Sequence, residues 1–153
     1  MNKIENNLNS LKLSNQEPNH DQISPIVNLL NQGQFQEAIE ALDLLILKFS
    51  DAAILFNLKG AAHRAFNEID KAAENFEKAV SIDPSYAEAF CNLGIVQKKL
   101  GKTSQSIESY RKALEINPVY PEAHNNLGNA LSEDGQNELA IDHFEWAVAF
   151  KPE

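Results

Sequence analysis

Four histidines and one cysteine are the side chains of this 153-residue chain best suited to metal or nucleophilic chemistry. No two of the histidines (His20, His63, His124 and His143) stand at the i, i+4 spacing of a helical zinc site. Cys91 has no histidine three or four residues away, which is the distance that would place an activating base on the same helix face. We therefore predict no metal site, no cofactor and no catalytic residue, and we interpret Cys91 as an inert thiol packed within the fold.

The triplet Gly101-Lys102-Thr103 is similar to the end of a phosphate-binding loop. Six residues separate Gly101 from the nearest upstream glycine, Gly94, where that loop requires four, and no strand is predicted before it. The triplet is therefore interpreted as a turn between helices. Acidic side chains are numerous, but nothing in their pattern specifies the fixed cleft of a glycosidase pair. The sequence predicts a protein that is not an enzyme.

Charge and composition exclude several further classes of function. The net charge is −9, and an acidic chain repels phosphate backbones, so nucleic-acid binding is not expected. One cysteine cannot form an internal disulfide, which favours a reducing compartment. No apolar run approaches the ~20 residues that cross a bilayer, and the N-terminus lacks the pattern of a signal peptide. We expect a cytoplasmic protein without membrane insertion.

The elements that position these side chains follow one fixed period, which is the spacing from Gly60 to Gly94 and again from Gly94 to Gly128. Three further sets of residues recur at the same spacing: Pro84, Pro118 and Pro152; Phe76, Tyr110 and Phe144; Ala79, Ala113 and Ala147. A fixed period of this length indicates stacked supersecondary units, each of which buries its apolar face only against its neighbours.

Each repeat reads as two helices joined by a short turn. In the clearest one, Ala87–Leu100 has apolar residues at helical spacing, and Gly101 supplies a left-handed cap. A second helix is predicted over Thr103–Ile116 and is stopped by Pro118. We expect Gly94 to allow close approach of the two backbones and Tyr110 to fill the gap toward the next hairpin.

These residues resemble the tetratricopeptide repeat family. The resemblance rests on Phe90-x2-Leu93-Gly94, Ser106-x3-Tyr110, Ala113 and Pro118; His124-x2-Leu127-Gly128, Ala140-x3-Phe144, Ala147 and Pro152; and Phe56, Gly60, Ala72-x3-Phe76, Ala79 and Pro84. His124 stands at the position that Phe56 and Phe90 occupy in the two preceding repeats, so we assign it a packing role. Lys59 and Ser106 depart from the family pattern. The resemblance implies an all-α fold, a right-handed α-solenoid of three regular hairpins preceded by one degenerate hairpin.

The expected divisions are a flexible Asn-rich segment (1–20), the degenerate repeat one (21–52), and the regular repeats two (53–86), three (87–120) and four (121–153). Repeat one is predicted to begin with a helix over Gln22–Asn31, with Pro25 in its first turn. Ile4, Leu8 and Leu11 leave open a short docking helix within the N-terminal segment.

In tetratricopeptide arrays the first helix of each hairpin lines the concave face, and the resemblance implies a peptide-binding groove there. The candidate groove residues are Asn57, Arg64, Asn92, Ile95, Lys98, Lys99, Asn126 and Asn129. The asparagine amides could pair with the backbone of an extended peptide; alternatively, they bridge adjacent helices or face water. The family's clamp for chaperone tails is not expected, because only Asn92 matches it and Glu122 has the wrong sign.

The predicted function is therefore a protein-interaction scaffold that binds a peptide or helix. Apolar residues at the two ends of the array, namely Leu44, Leu47, Trp146 and Phe144, are candidates for an interface, such as one in a homo-oligomer. The repeats are also similar to those of bacterial tetratricopeptide proteins and of O-linked N-acetylglucosamine transferases. A second possibility is therefore the substrate-recognition part of a larger glycosyl-, sulfo- or methyltransferase. We further expect either that the chain continues beyond Glu153 or that another molecule covers the last hairpin.

Overall fold

The computed structural model describes residues 17–149, which fold into helices paired as successive hairpins. The helices are α1 (His20–Asn31), α2 (Phe35–Ile46), α3 (Ala53–Ala65), α4 (Ile69–Ile82), α5 (Ala87–Lys99), α6 (Thr103–Ile116), α7 (Pro121–Glu133) and α8 (Asn137–Ala149). This range contains no strand. Each helix packs against the next along the chain, so the predicted all-α solenoid is confirmed.

One left-handed residue makes the turn inside every hairpin. Gly33, Asn67, Gly101 and Gly135 have φ of 75°, 62°, 74° and 81°, and each stands one period after the last. The residue after each of these donates its backbone N–H to the carbonyl oxygen five residues earlier. In repeat three, Lys102 N donates to Gln97 O at 2.9 Å. The left-handed cap predicted at Gly101 is confirmed, and repeat two uses Asn67, whose short polar side chain tolerates this conformation.

Prolines mark the turns between hairpins, as predicted. Pro84 and Pro118 follow the ends of α4 and α6, and the residue before each proline has extended backbone. The side chains of Asp83 and Asn117 accept hydrogen bonds from the backbone N–H two residues later, at 2.9 Å and 3.2 Å. Pro152, assigned the same role in repeat four, lies outside the described residues.

The glycine of each first helix makes room for an aromatic ring. A Cβ on Gly94 would come within 2.6 Å of Tyr110, and one on Gly60 within 2.7 Å of Phe76. Gly94 thus makes room for the Tyr110 ring, and the close approach of the two backbones stays a prediction. The same ring belongs to a core cluster with Ala123 and Leu127 of the next repeat, which agrees with its predicted contact there.

Three core clusters are formed by buried side chains of residues 17–149. One joins repeat one to α3, the second joins α4 to α5, and the third extends from repeat three into repeat four. Each cluster spans two repeats, as expected for stacked hairpins.

Helix α1 differs from its prediction. It begins at His20, because Asn19 and Gln22 exchange side-chain and backbone hydrogen bonds at 3.0 Å in a capping box. Pro25 therefore lies in the second turn rather than the first, and the predicted position is wrong. A proline there leaves one helical hydrogen bond unmade. Ile4, Leu8 and Leu11 lie outside the described residues.

Candidate functional site

The first helices of successive regular repeats contact each other directly, α3 with α5 and α5 with α7. The surface formed by this row of helices is called the inner face below, and it carries all eight candidate groove residues. Across each of these contacts, a side chain lies next to the side chain 35 residues later in the sequence. This spacing is one repeat period plus one residue. The contacts at equivalent positions can therefore be compared pair by pair.

The asparagine junction, formed by Asn57, Tyr86, Glu88 and Asn92, is closed. Asn57 is 2% exposed, and its Nδ2 donates to Tyr86 Oη at 3.1 Å and to Glu88 Oε1 at 3.0 Å. Its Oδ1 accepts from Asn92 Nδ2 at 3.1 Å. Both amide hydrogens and the carbonyl oxygen of Asn57 are used within the fold, so the bridging alternative describes this residue.

Asn92 is half-buried and lies between two residues of repeat two. Besides donating to Asn57, it accepts a hydrogen bond at its Oδ1 from Arg64 Nη1 at 3.1 Å. The bond fixes the orientation of the Asn92 amide and leaves one Nδ2 hydrogen unused among the described contacts. Asn92 therefore holds Arg64 on the inner face while keeping one donor of its own.

The cysteine junction, formed by Cys91, Tyr120, Glu122 and Asn126, is the same constellation one period later. Cys91 replaces Asn57, and its thiol has hydrogen-bonding contacts with Asn126, whose Nδ2 lies 3.9 Å from Sγ, and with the side chain of Tyr120. Burial, with a smaller contribution from Glu122, raises the pKa of the Cys91 thiol to about 11. The thiol is 2% exposed and stays protonated, which fits the inert role predicted for it.

A cavity of about 460 Å³ opens beside the cysteine junction. Its lining consists of Ile95, Lys98, Lys99, Tyr110, Asn126 and Glu133. Lys98 Nζ lies 2.9 Å from Glu133 Oε1, so this lysine is paired with a carboxylate across the α5–α7 contact. Four candidate groove residues thus meet at one cavity, and Asn129 is exposed one turn from Asn126 on α7.

A histidine pair inside repeat four was not predicted. His124 Nδ1 and His143 Nδ1 are 2.9 Å apart, and His124 Nε2 lies 3.0 Å from Pro118 O. A carbonyl only accepts, so His124 carries its proton on Nε2 and His143 donates from Nδ1. Trp146 stacks on His124 with ring centroids 5.6 Å apart, so the packing role expected for His124 is present. The pair joins α7 to α8 over 19 residues, a spacing that no helical motif indicates.

The candidate interface residues lie at the two ends of the array. Leu44 on α2 is 66% exposed, Leu47 directly after α2 is 83% exposed, and Trp146 on α8 is 48% exposed. Phe144 is half-buried against Gly128. No group of three or more His, Cys, Asp or Glu in residues 17–149 could hold a metal ion. Across the same residues, no helix has the length and apolar character needed to cross a membrane.

Known proteins resemble the chain in sequence and in fold. The family model described as TPR repeat matches residues 60–101 and 98–135, and a tetratricopeptide repeat model matches residues 121–153. Small glutamine-rich tetratricopeptide repeat-containing protein 2 of Saccharomyces cerevisiae is 34% identical over 82 residues. That match covers 49% of this chain and 24% of the relative, so the chain spans about a quarter of that protein.

Solved structures of MamA share the fold. A crystal structure of MamA superposes with a TM-score of 0.78 at 22% identity and covers 95% of this chain and 83% of that one. A MamA structure from Desulfovibrio magneticus RS-1 superposes with a TM-score of 0.75, also at 22% identity, over 84% of this chain and 73% of that one. Together with the family models and the hairpin geometry, these similarities show that the chain belongs to the tetratricopeptide repeat family.

Proposed function

We propose that the chain is a protein-interaction module that holds a peptide or helix segment of a partner along the inner face of repeats three and four. The observation that carries this proposal is the cavity beside the cysteine junction, which Asn126 lines without the amide hydrogen bonds that its counterpart Asn92 makes. Glu122 is exposed and forms no hydrogen bond or ion pair within residues 17–149, whereas its counterpart Glu88 accepts from Asn57.

Asn126 and Asn129 supply the groups that an extended peptide requires. Asn126 makes only the weak contact with Cys91, and Asn129 makes no side-chain hydrogen bond in the described part of the chain. An amide offers two donors and an acceptor, so it can pair with peptide N–H and C=O groups whatever the side chains of the ligand are. Ile95 adds an apolar surface in the same cavity.

Asn57 and Asn92 have a supporting part in this proposal. Their hydrogen bond holds α3 against α5, the helix that carries Ile95, Lys98 and Lys99. The ligand-contacting set is therefore narrower than the set of eight candidates: it comprises Ile95, Lys98, Lys99, Asn126 and Asn129.

Peptides selected from a random display library against the whole chain test this assignment. The double variant Asn126→Ala/Asn129→Ala should bind a selected peptide roughly tenfold more weakly, since two hydrogen bonds each contribute about 0.5–1.5 kcal/mol. Asn31→Ala is the matched control, because Asn31 is exposed on α1, far along the array from repeat four. Equal affinity of the double variant and the control would remove these asparagines from the site.

Self-association through the end hairpins is a second candidate function, favoured by the exposure of Leu44 and Leu47 at one end and of Ile141 (55%) and Val148 (76%) at the other. Apolar side chains exposed side by side indicate a contact surface. The molar mass from light scattering should rise with concentration for the wild type and stay monomeric for Leu44→Lys/Leu47→Lys. A wild type that remains monomeric at every concentration would contradict this candidate.

A further inference from the structure

The last described helix, α8, exposes an apolar face that its equivalents in earlier repeats bury. In those repeats the next helix along the chain packs on this face, α5 on α4 and α7 on α6. The residues at equivalent positions are Ala73, Phe76 and Val80 on α4, Ile107, Tyr110 and Leu114 on α6, and Ile141, Phe144 and Val148 on α8. We call the last three residues the α8 face. Ile107 is 5% exposed and Tyr110 1%, whereas Ile141 is 55% exposed and Val148 76%.

The contact between α6 and α7 shows what a helix needs in order to cover such a face. Three residues of α7, Ala123, Leu127 and Ala130, share a core cluster with Ile107 and Tyr110 of α6. They stand at positions i, i+4 and i+7, so they lie on one side of their helix. The equivalents of Leu127 and Ala130 on α5 are also apolar and share a core cluster with α4. A covering helix therefore presents apolar side chains at i, i+4 and i+7.

Helix α1 does not meet this requirement. Its residues at the three equivalent positions are Asp21, Pro25 and Asn28, and all three are exposed. Repeat one of a second copy, stacked in register on α8, would place a carboxylate and an amide against an apolar surface. Burying such polar groups without partners costs free energy, so this way of extending the array is disfavoured.

Residues 1–16, which precede the described range, contain the required pattern. Ile4, Leu8 and Leu11 stand at i, i+4 and i+7, the spacing of the three covering residues of α7. The α8 face itself carries a groove of about 330 Å³ lined by Ile141, Phe144, Glu145 and Val148. The side chains of residues 1–16 therefore match the face in apolar character and in spacing.

The charges of residues 1–16 and of α8 are complementary. Residues 1–16 contain two lysines, Lys3 and Lys12, and one acidic residue, Glu5. Helix α8 has no lysine or arginine. Its acidic residues are Glu138, Asp142 and Glu145. Complementary charges around an apolar contact favour the correct partner and its orientation.

Helix direction favours a segment from a second copy over one from the same chain. Glu17 lines a cavity with Ala53, at the start of α3, and Ile82, at the end of α4. Pro121 and Val148 likewise line one cavity at the start of α7 and near the end of α8. A segment of the same chain that leads into Glu17 at this edge would run parallel to α8, whereas α5 and α7 run antiparallel to the helices that they cover. A second copy is not held to this direction.

We propose that the α8 face binds residues 1–16 of a second copy as a covering helix, through Ile4, Leu8 and Leu11. The interaction goes beyond the binding of a peptide on the inner face and does not depend on it. It also differs from direct contact between end hairpins, because Leu44 and Leu47 take no part in it.

Two variants of the full chain, each of which alters one half of the contact, test the proposal by light scattering. Ile4→Asp/Leu8→Asp changes the segment, and Ile141→Lys/Val148→Lys changes exposed residues of the face. The molar mass of the wild type should rise with concentration. Each variant should associate at least tenfold more weakly, because charged groups replace side chains that the contact buries.

Matched controls place the same charges on the opposite helix sides. Asn6→Asp/Asn9→Asp lies opposite Ile4 and Leu8 if the segment is helical, and Leu139→Lys lies on the other side of α8. Both controls should associate as the wild type does. Far-ultraviolet circular dichroism should show the same helix content in all variants.

A mixture of the two double variants tests the exchange of the segment between copies. One partner still has an intact face and the other an intact segment, so the mixture should reach a higher molar mass than either variant alone at the same total concentration. A segment that covers the face of its own chain would produce no such gain. The gain would also show that both variants are folded.

Three outcomes would overturn the proposal. A wild type that is monomeric at every concentration would remove it together with self-association through the end hairpins. Wild-type association of both double variants, with a monomeric Leu44→Lys/Leu47→Lys, would assign the contact to α2 instead. A mixture with no gain in molar mass would exclude the second copy as the source of the segment.

Discussion

The asparagine junction and the cysteine junction occupy the same place in successive repeats but use their polar groups differently. In the first, one buried amide joins a tyrosine, a glutamate and an asparagine of the next repeat. In the second, a thiol stands at the centre and Glu122 is left to solvent. The difference arises from one residue, Asn57 against Cys91, on a common backbone. A repeat scaffold can therefore change a structural contact into an open surface by a single substitution.

The α3–α5 and α5–α7 contacts also differ in how their charged side chains are paired. Lys98 is paired with Glu133 beside the cysteine junction, while Arg64 donates to Asn92 beside the asparagine junction. Within residues 17–149, Glu122 on α7, Arg64 on α3 and Lys99 on α5 form no ion pair.

The two junctions can be compared only if they lie on equivalent hairpins. Glycine substitutions test this equivalence and should have the largest effect on the free energy of unfolding. Gly60→Ala and Gly94→Ala should each lower the free energy of unfolding by about 1–3 kcal/mol, as overpacking does. The reason is that the new Cβ would meet a buried ring, Phe76 or Tyr110. Urea denaturation followed by circular dichroism measures both.

Gly128→Ala is the internal reference for these two substitutions. Phe144 meets a Cβ there at 2.7 Å, but this ring is half-buried at the end of the array and can move aside. A smaller loss is expected, because alanine is also the better helix former by about 1 kcal/mol. A loss at Gly60 that differs greatly from the loss at Gly94 would mean that the hairpins are not equivalent and would weaken the comparison.

Opening the asparagine junction is the next largest change. Asn57→Cys copies the cysteine junction into repeat two and removes three hydrogen bonds, so the free energy of unfolding should fall by about 1–3 kcal/mol. Glu88 is exposed and regains water, which limits the loss. Asn31→Cys, an exposed site, is the control for the introduced thiol. An unchanged stability would show that the buried amide does not hold the repeats together.

Closing the cysteine junction should have a smaller and opposite effect. Cys91→Asn places an amide within reach of Tyr120 and Glu122 and should stabilise the fold by about 0.5–1.5 kcal/mol. It should also weaken the binding of selected peptides, because Asn126 and Glu122 become engaged internally as Asn92 and Glu88 are. Denaturation and fluorescence anisotropy measure the two effects on one sample. Destabilisation with undiminished peptide binding would contradict the assigned difference between the junctions.

The smallest expected effect is a pH dependence of the stability of repeat four. This repeat supplies Glu122 and Asn126 to the cysteine junction. Burial, and then the neighbouring His124, lowers the pKa of His143 below its usual value of 6.5. The unfolded chain therefore binds more protons than the folded chain as the pH falls through about 6.5. Stability of the α7–α8 hairpin should decrease below that pH and be constant above it.

Trp146 is the only tryptophan of the chain and stacks on His124, so its fluorescence reports on this hairpin. Denaturation curves between pH 5.5 and 7.5 should show a smaller pH dependence for His143→Asn than for the control His20→Asn, whose histidine is exposed. An identical pH dependence in both variants would rule out His143 as its source.

The sequence predicted the hairpins and turns well because they depend on local rules that recur in every repeat. The turn at Gly101 and the helix end before Pro118 follow from backbone preferences of single residues. The position of Pro25 was missed, because the capping box of Asn19 and Gln22 starts the helix two residues earlier than the apolar pattern suggests.

The roles of the inner-face residues were less predictable, because they depend on contacts between repeats. Asn92 and Asn126 occupy equivalent positions in successive repeats. The hydrogen bonds, however, join residues 35 apart, so the partner of Asn92 is Asn57, which stands one position earlier in its own repeat. A search at that spacing would have indicated both the Asn57–Asn92 bridge and the Cys91–Asn126 contact. The His124–His143 contact depends on the packing of α7 on α8, which no spacing within one helix reveals.

Backbone amide resonances of the ¹⁵N-labelled chain, recorded during titration with a library-selected peptide, test the central claim most directly. The account predicts that the largest shifts fall on the inner face of α5 and α7, at Ile95, Lys99, Asn126 and Asn129. Shifts concentrated on α2 around Leu44 and on α8 around Trp146, with the inner face unchanged, would contradict it and would make the end hairpins the binding surface.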